Sequence, residues 1–571
     1  MIIIFQAITF PQVTVKDTLI EWHTFKYSLN TDNTIKQSTN IFNDTVSVSF
    51  KGTVIENEFL KITLVPEYGG RILSMIYKPT GHEELYQNPA GAPYGIGQGW
   101  FYYDWLMVYG GIFPTLSEPE HGKAWMLPWK FEFLKQTADT VRCKMTWTDT
   151  VMLKSTDPGK WKYGQTGIKC EYIITIAKGS SALEADIILY NNQNADLEYE
   201  YWTCLTLAPG SKPGESKTTN GAEIIVPVSK IKIPSWYPDI ASKEMQVPGN
   251  RGIYYFDELR NWNNWSSDGI AYAWDDKTPN FWGVINHDNG EGLIRISENV
   301  ITPGVKIWAW DYDQSQNVDP FLNPGNVKRP YIELWAGHSK EFFEPAHFKG
   351  NTIKKWKEIY APTVGLSKIT HANNSVLAEI EITDELKSKI AKLNFSTLHP
   401  LDICDVTIEI TGRNPKVLLT RKIAPDAVNG NKLSINFPGN QTWNDVDSLK
   451  FSITNSSGKD NLYISLPLRN IDTGVAENME MTADYNLYQN YPNPFNPETI
   501  IQYTIAKPGY TSLKVYDILG NEVAVLVDEF KNAGKYKLLF NVKKYGLSSG
   551  VYFYTIHSQG FIKTLKFVLI K

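Results

Sequence analysis

The stretch ENEFLKITLVPEYGGRILSMIYKPTGHEELYQNP, residues Glu56–Pro89, decides the fold because it consists of strand-like runs separated by tight turns. Apolar and β-branched residues cluster in FLKITLVP and again in RILSMIY, and Gly69-Gly70 stands between the two runs. Glycine, proline and asparagine separate such runs where the chain turns between β-strands. The pattern therefore predicts β-structure.

The same pattern recurs along the chain, in TVSVSF (45–50), IKCEYIITIA (168–177), ALEADIILY (182–190), GLIRISENV (292–300) and SLKVYDILG (512–520). Convincing amphipathic helices are almost absent, and the best candidate for one short helix is TDELKSKIAKL (383–393). Strand-rich segments throughout a chain are typical of sandwiches and barrels. We predict an all-β fold.

Composition limits the number of domains and the classes of partner. At 571 residues the chain is too long for one ordinary core, so two to four domains are expected. No apolar run approaches the roughly 20 residues that cross a bilayer, so we expect no transmembrane segment. The net charge is −5 and no arginine-rich helix is present, so nucleic acid is not expected as a partner. The four cysteines lack CxxC spacing, which argues against a zinc site.

The composition changes along the chain. Seventeen of the 18 tryptophans precede residue 360, and a polar stretch, DTGVAENMEMTAD (472–484), lacks β-branched periodicity. We predict a first domain over 16–360, an immunoglobulin-like (Ig-like) sandwich over 361–472, a linker over 473–484 and a terminal domain over 485–571. Residues 1–15 are interpreted as a remnant signal peptide, with a first β-strand as the alternative.

The terminal 87 residues carry three motifs in order: YNLYQNYPNPFNPETIIQYTI (485–505), LKVYDILGNEV (513–523) and LSSGVYFYTIHSQGFIKTLKFVLIK (547–571). This part closely resembles the C-terminal sorting domain of bacterial type IX secretion. The resemblance implies a small Ig-like sandwich, the type IX secretion machinery as partner, and a secreted or cell-surface location. The alternative is a generic Ig-like repeat with no sorting role. Within the second motif, DILGN (517–521) predicts a hairpin turn with Gly520 at positive φ.

Three motifs in the first domain carry a second resemblance. They are Glu56–Pro89, PEHGKAWMLPW (119–129) and RPYIELWAG (329–337). In this order they resemble the galactose mutarotase-like superfamily, in particular branches related to aldose 1-epimerases and the family denoted DUF5107. That resemblance implies a large β-supersandwich that handles a sugar.

By this resemblance, Glu333 falls on the epimerase base that removes the anomeric hydroxyl proton, and His121 falls on the histidine that contacts the sugar ring. Ring opening needs a base at the O1 hydroxyl and an acid at the ring oxygen. Epimerases supply the acid as a second histidine, but the matching stretch here offers Trp202, Thr203 and Cys204. Ordinary mutarotation is therefore in doubt.

Aromatic and polar residues near the motifs are candidate sugar contacts, because flat rings stack on the apolar faces of pyranoses. Ten tryptophans are interpreted as lying in or near Gly- and Asp-rich loops, with core packing as the alternative for about half of them. Arg71 could bind sugar hydroxyls or pair with Glu67. The candidate substrate-binding residues are Arg71, Trp125, Trp202, Trp310, Asp311 and Trp335.

No cofactor is expected. The acidic residues Asp104, Glu118, Asp311 and Asp313 could hold a structural Ca²⁺, although no EF-hand spacing supports a site. The leading hypothesis is an exported enzyme acting on a saccharide by epimerase-like or lyase-like proton abstraction. A non-catalytic glycan-binding protein and an adhesive surface protein are the alternatives.

Overall fold

The computed structural model describes residues 12–570 with gaps. The gaps are residues 26, 30–34, 39–44, 88–109, 118–121, 125–126, 152–164, 215–217, 236–240, 243–244, 266–268, 275–279, 310–330, 386–387, 413–415, 437–445, 456–460, 468–484, 507–508, 532–533 and 559–560. The chain divides into two compact units, Met1–Arg469 and Asn470–Lys571. Within the described residues there are 38 strands and no α-helix, so the predicted all-β class is confirmed.

A 13-stranded sheet, called here the large sheet, forms one layer of the first unit. Its strands are β1 (Thr14–Phe25), β4 (Thr45–Glu56), β5 (Leu60–Val65), β6 (Arg71–Tyr77), β7 (His82–Leu85), β8 (Ile112–Ser117), β13 (Leu197–Ser211), β15 (Lys230–Lys232), β16 (Ile253–Tyr255), β17 (Gly269–Ala273), β20 (Gly304–Ala309), β21 (Ile332–Gly337) and β22 (Ala346–Phe348). Along the main path the order is β1-β4-β5-β6-β7-β13-β21-β20-β17-β15-β16. A separate hairpin pairs β2 (Tyr27–Leu29) with β3 (Ile35–Ser38).

An eight-stranded sheet, called here the second sheet, forms the other layer. Its order is β14 (Ala222–Ile225), β18 (Phe281–Asn286), β19 (Glu291–Ser297), β23 (Thr352–Val364), β12 (Leu183–Asn191), β11 (Lys169–Ala177), β10 (Thr140–Thr148) and β9 (Lys130–Gln136). The two sheets share one hydrophobic core, to which both contribute buried side chains. Short 3-10 helices at Glu258–Arg260 and Trp262–Asn264 follow β16.

Burial explains why the sequence pattern differs between the sheets. Strands β10 and β12 alternate buried and half-buried residues, as expected when one face meets the core. Strands β20 and β21 are buried at every position, so both faces of the large sheet are covered there. A polar side chain on β20 or β21 therefore needs a partner inside the protein.

The remainder of the first unit is a smaller sandwich with its own core. One sheet has the order β24 (His371–Ala372), β25 (Val376–Glu385), β26 (Ser388–Thr397) and β29 (Asn431–Asn436). The other has the order β28 (Lys416–Ile423), β27 (Cys404–Gly412), β30 (Val446–Asn455) and β31 (Asn461–Pro467). A further apolar cluster joins this sandwich to β18, β19 and β23 of the second sheet.

The predicted helix at 383–393 is wrong. Residues on either side of 386–387 belong to β25 and β26, which pair as a hairpin from Val376↔Thr397 to Glu385↔Ser388. The predicted boundary at residue 360 falls within β23, whose last residues pair with β19 up to Glu291↔Val364.

Two other predicted segments lie wholly or partly outside the described residues: the 473–484 linker, and residues 1–11 of the proposed signal peptide. Residues 12–15 are described: the Val13 side chain is buried, and β1 begins at Thr14. The predicted division into domains, and the Ig-like assignment of the smaller sandwich, stay predictions.

The second unit contains two sheets around a separate core. One has the order β32 (Asn486–Leu487), β33 (Glu498–Ile505) and β36 (Gly534–Asn541), and the other has the order β35 (Glu522–Lys531), β34 (Gly509–Tyr516), β37 (Gly550–Ser558) and β38 (Phe561–Leu569). A 3-10 helix covers Val542–Tyr545. The predicted turn is confirmed: Gly520 has φ +84°, and Asp517 Oδ1 accepts the Leu519 and Asn521 amides at 2.8 and 2.9 Å. No helix in the described part of the chain is long and apolar enough to cross a bilayer.

Candidate functional site

The candidate site lies on one face of the large sheet, where β13, β21 and β20 run side by side. Glu333 on β21 is paired with Thr206 on β13 and with Trp308 on β20. Residues in directly opposed register project from the same face of a sheet, so these three side chains share one face. This face is called the Glu333 face below.

Glu333 is a buried carboxylate with two donors on a single oxygen. It is 3% exposed, and its Oε2 accepts Lys306 Nζ at 2.7 Å and Trp335 Nε1 at 3.0 Å. Among the described residues no hydrogen bond reaches Oε1. An ionised carboxylate can accept about four hydrogen bonds, so Glu333 has unused capacity on Oε1.

Lys306 lies two residues from Trp308 on β20 and is paired in register with Trp335. Its ammonium is enclosed by aromatic rings, with Nζ 4.0 Å from the Trp335 centroid, 5.3 Å from Trp308 and 5.6 Å from Phe342. Cation–π attraction to several rings stabilises an ammonium that has been removed from bulk water. Sequence reasoning did not identify Lys306, because a single lysine in a strand-like run gives no local signal of a partner 27 residues away.

Cys204 and Arg71 belong to the same surroundings. Burial raises the pKa of the Cys204 thiol, the Glu333 charge raises it further, and Lys306 and Arg71 oppose this rise. The Arg71 guanidinium lies 4.1 Å from the Phe113 ring centroid, and its Nη1 donates to the Gly110 carbonyl at 2.6 Å. Burial lowers the pKa of Arg71 to about 10. One acidic and two basic side chains therefore surround a buried thiol on the Glu333 face.

Two predicted sugar-stacking tryptophans are placed differently from expectation. Trp202 and Trp335 lie within β13 and β21 rather than in loops, and they are 0% and 1% exposed. The Trp202 ring packs over the β21 glycine Gly337, where a Cβ atom would come within 2.2 Å of it, and Phe342 meets the same ring edge-on at 5.1 Å. Both tryptophans are packed against protein, and their role as sugar contacts stays a prediction.

Four other predicted site residues, His121, Trp125, Trp310 and Asp311, lie outside the described residues. So do Asp104, Glu118 and Asp313, which were the remaining candidates for a Ca²⁺ site. In the described part of the chain no group of three or more His, Cys, Asp or Glu side chains could hold a metal.

The residues that follow His121 are firmly held. Gly122 has φ +65°, and a Cβ there would come within 2.5 Å of the Leu116 amide nitrogen. Lys123 donates its amide to the Leu116 carbonyl at 2.8 Å and its ammonium to Asp149 Oδ2 at 2.9 Å, with both side chains completely buried. The buried ion pair therefore links Lys123 to Asp149, the residue after β10, while the Lys123 amide links it to the end of β8. No local sequence pattern indicates this ion pair.

The Glu333 face is bordered by a stacked pair of rings, Tyr86 and Tyr331, whose centroids are 4.3 Å apart. The segments 88–109 and 310–330 connect to the chain close to these two tyrosines in sequence, and they contain Trp100, Trp105, Trp310 and Asp311. The arrangement offers a hydrogen-bond acceptor, Oε1 of Glu333, among aromatic side chains. Such a combination orients a ligand that carries hydroxyl donors and apolar faces.

The fold and the terminal motifs define a class: a modular, all-β exported protein. Residues 37–361, more than half of the chain, match the family described as Domain of unknown function (DUF5107), and the chain belongs to this family. Residues 489–571 match the secretion system C-terminal sorting domain. Residues 489–571 therefore form a type IX sorting domain, which directs the protein to the cell surface or to the medium.

Several solved structures are similar in fold. A TPR-domain containing protein from Parabacteroides distasonis is 15% identical with a TM-score of 0.47; the match covers 62% of this chain and 56% of that one. A galactose mutarotase-like protein from Clostridium acetobutylicum is 9% identical, covers 60% and 99%, and has a TM-score of 0.36. Another from Lactobacillus casei is 10% identical, covers 55% and 100%, and has a TM-score of 0.34. The chain thus spans little more than half of the first of these proteins.

Proposed function

We propose that this exported protein binds a saccharide on the Glu333 face, with Glu333 as the hydrogen-bond acceptor that orients the ligand. The observation that carries the proposal is the asymmetry of the carboxylate. Oε2 is held by Lys306 and Trp335, while Oε1 has no donor among the described residues. A buried acceptor is costly to leave unused, so a ligand hydroxyl is a fitting donor.

Binding is favoured over proton abstraction by the charge arrangement. If Oε1 took a proton from a sugar hydroxyl, Glu333 would become neutral beside a buried ammonium 2.7 Å away. The attraction within the ion pair would then be lost inside the protein, where an unpaired charge is expensive. In addition, the stretch that matches the one carrying the second histidine of epimerases has Trp202, Thr203 and Cys204 here and contains no histidine. That stretch therefore offers no histidine to act as the acid at the ring oxygen.

The first test is a glycan-array screen of the full chain, followed by titration calorimetry of each glycan that binds. Glu333→Gln is expected to weaken binding about 10-fold or more, since hydrogen bonds to charged groups contribute roughly 1.5–3 kcal/mol. Glu358→Gln, which alters a buried carboxylate of the second sheet, is the matched control and should leave the affinity of the folded protein unchanged. Equal affinity for wild type and Glu333→Gln would refute the proposal.

Turnover is the second candidate, and the unused Oε1 is the observation that favours it. A general base needs one oxygen within hydrogen-bond reach of the substrate proton. Anomer exchange of a bound reducing sugar can be followed by NMR. Exchange that is catalysed by wild type, and slowed by roughly 100-fold or more in Glu333→Gln, would establish catalysis.

A further inference from the structure

We propose that Lys306 is the positioning residue of the Glu333 face: it keeps Glu333 ionised and, together with Trp335, fixes Oε2 so that Oε1 is the atom presented to a ligand. This inference rests on the proposed function, because it names the side chain through which the same site works. It assigns a role to a lysine that lies in none of the three sequence motifs of the first domain.

The first argument is geometric. Lys306 is paired in register with Trp335, and Glu333 with Trp308, so the lysine reaches its carboxylate diagonally across β20 and β21. The Trp335 indole reaches the same oxygen from two residues along β21. Two donors from two strands therefore converge on Oε2. A carboxylate held at one oxygen cannot rotate freely, and the other oxygen is fixed in direction as a result.

The second argument concerns charge. Lys306 is 3% exposed, and Glu333 is its ion-pair partner at 2.7 Å. Among the described residues, other charged or titratable groups on this face of neighbouring strands include Arg71 on β6, Cys204 and Glu200 on β13, and Lys232 on β15. Lys232 has its own ion-pair partner, Glu341. A buried carboxylate that loses its counter-charge takes up a proton rather than remaining ionised in an apolar environment. Removing the Lys306 ammonium should therefore convert Glu333 from an acceptor into a neutral acid.

The third argument is that the pair differs from a purely structural one. The control is the buried pair of Arg295 with Glu358, also 2.7 Å apart, where a tryptophan indole again donates to the carboxylate. There the second oxygen accepts the Tyr360 hydroxyl, so both oxygens are occupied. At Glu333 one oxygen is left. Both carboxylates are thus held by a cation and an indole, but of the two only Glu333 has an oxygen that accepts no hydrogen bond from the described residues.

The decisive experiment needs no ligand. Infrared difference spectra of the full chain at neutral pH are compared for wild type, Lys306→Met, Glu333→Gln and Lys306→Met/Glu333→Gln. Because buried Glu84 has a raised pKa in all four proteins, we expect Lys306→Met to show one additional protonated-carboxyl band that is missing from wild type and from the double variant. Absence of that band in a folded Lys306→Met protein would overturn the proposal, because Glu333 would then stay ionised without the lysine.

A binding experiment separates this inference from the proposed function. D-galactose and D-glucose serve as probes in saturation-transfer NMR, across pH 5 to 9. We expect Lys306→Met to weaken binding about as much as Glu333→Gln does, and to make the remaining affinity depend on pH where wild type shows little dependence. The double variant should regain stability, since both partners of the pair are removed, but not affinity.

The outcomes are distinct. If Glu333→Gln binds these sugars as wild type does, the proposed function fails, while the infrared result still decides the role of Lys306. If Glu333→Gln loses binding and Lys306→Met retains it with an unchanged pH profile, Lys306 is only structural and this inference fails. The Arg295→Met variant is the matched control for loss of a buried cation, and it should lower stability without changing affinity.

Discussion

Two buried carboxylates of the first unit, Glu358 and Glu333, resemble each other in their partners and differ in how completely those partners use them. Glu358 Oε1 accepts Arg295 at 2.7 Å, Trp356 Nε1 at 3.0 Å and the Thr203 hydroxyl at 3.2 Å. Its Oε2 accepts the Tyr360 hydroxyl. Glu333 has a cation and an indole on Oε2 and nothing on Oε1 among the described residues.

The comparison separates a buried carboxylate whose two oxygens are both used by protein groups from one that has an acceptor left over. Glu358 connects the two sheets, because Thr203 lies on β13 of the large sheet while Arg295 and Glu358 lie on β19 and β23 of the second. Burial raises the pKa of Glu358, but the Arg295 charge and the hydrogen bonds from its partners outweigh burial and lower the pKa overall. A carboxylate whose four partners are all protein groups has little left to offer a ligand.

The largest effect should come from breaking the Arg295–Glu358 pair, in which both carboxylate oxygens are used. Glu358→Gln leaves Arg295 buried without a counter-charge, and loss of one member of a buried pair costs roughly 3–5 kcal/mol. Urea unfolding followed by tryptophan fluorescence measures this. The double variant Arg295→Met/Glu358→Gln should recover part of the loss, and no difference between single and double variants would show that the pair is not the source.

A third carboxylate, Glu84, extends the comparison to a buried group that has no counter-charge among the described residues. Both of its oxygens are buried, and no hydrogen bond of normal geometry reaches them from the described residues. Burial raises the pKa of Glu84 well above its usual range, and the charges of Glu291 and Glu83 raise it further against the opposing Gly210 amide.

Because the folded-state pKa of Glu84 is raised, its contribution to stability is full below the unfolded pKa and is lost as the pH rises through the folded value. Glu84→Gln should therefore stabilise the protein at neutral pH, by about 1–3 kcal/mol if the unsatisfied group is the main cost. Thermal unfolding at pH 5 and pH 8 tests this. The gain should be larger at pH 8, and an equal gain at both values would contradict the charge explanation.

A matched pair of tryptophan variants distinguishes the role of the indole donor at Glu333 from that of the indole donor at Glu358. Trp356→Phe and Trp335→Phe each delete an indole donor to a buried carboxylate, which should cost roughly 1.5–3 kcal/mol in hydrogen bonding apart from packing losses. Both should lower the free energy of unfolding. Only Trp335→Phe should also weaken saccharide binding, as measured by calorimetry; loss of affinity in Trp356→Phe would mean that the two sites are not separate in function.

The smallest effect expected is the acid response of Glu358. A folded-state pKa below the unfolded value gives stability that is present above the unfolded pKa, near 4.3 for a glutamate, and is lost as the pH falls through the folded value. The stability difference between wild type and Glu358→Gln should thus shrink below about pH 4. Urea midpoints between pH 3 and pH 6 measure it, and a constant difference would show that Glu358 is not charged in the folded protein.

Local sequence was sufficient wherever a feature depends on neighbours along the chain. The turn at Gly520 was predictable because Asp517 and the glycine lie three residues apart and meet within one hairpin. It was insufficient at 383–393, where good helix formers such as Lys, Glu and Leu are instead held in a hairpin of ten cross-strand pairs. Helix propensity amounts to tenths of a kcal/mol per residue, and tertiary pairing overrides it.

The candidate site was predictable only in part. Glu333 was expected to be paired or functional because a carboxylate beside Ile332, Leu334 and Trp335 is costly to bury alone. That reasoning holds for its burial and its ion pair, whereas the tryptophan predictions placed Trp202 in a loop although it lies inside β13. A tryptophan gives the same composition signal in a core as in a binding site, so the sequence could not distinguish the two.

By itself, the sequence determined the all-β class, the DUF5107 resemblance and the sorting domain, because alternation, turn residues and ordered motifs are local properties. Only the tertiary structure decided that Lys306 is the partner of Glu333, that Arg295 is the partner of Glu358, and that one carboxylate keeps an oxygen unused. Ion pairs between strands depend on register and on which face a side chain occupies. These follow from packing of the whole sheet, which no short stretch of sequence specifies.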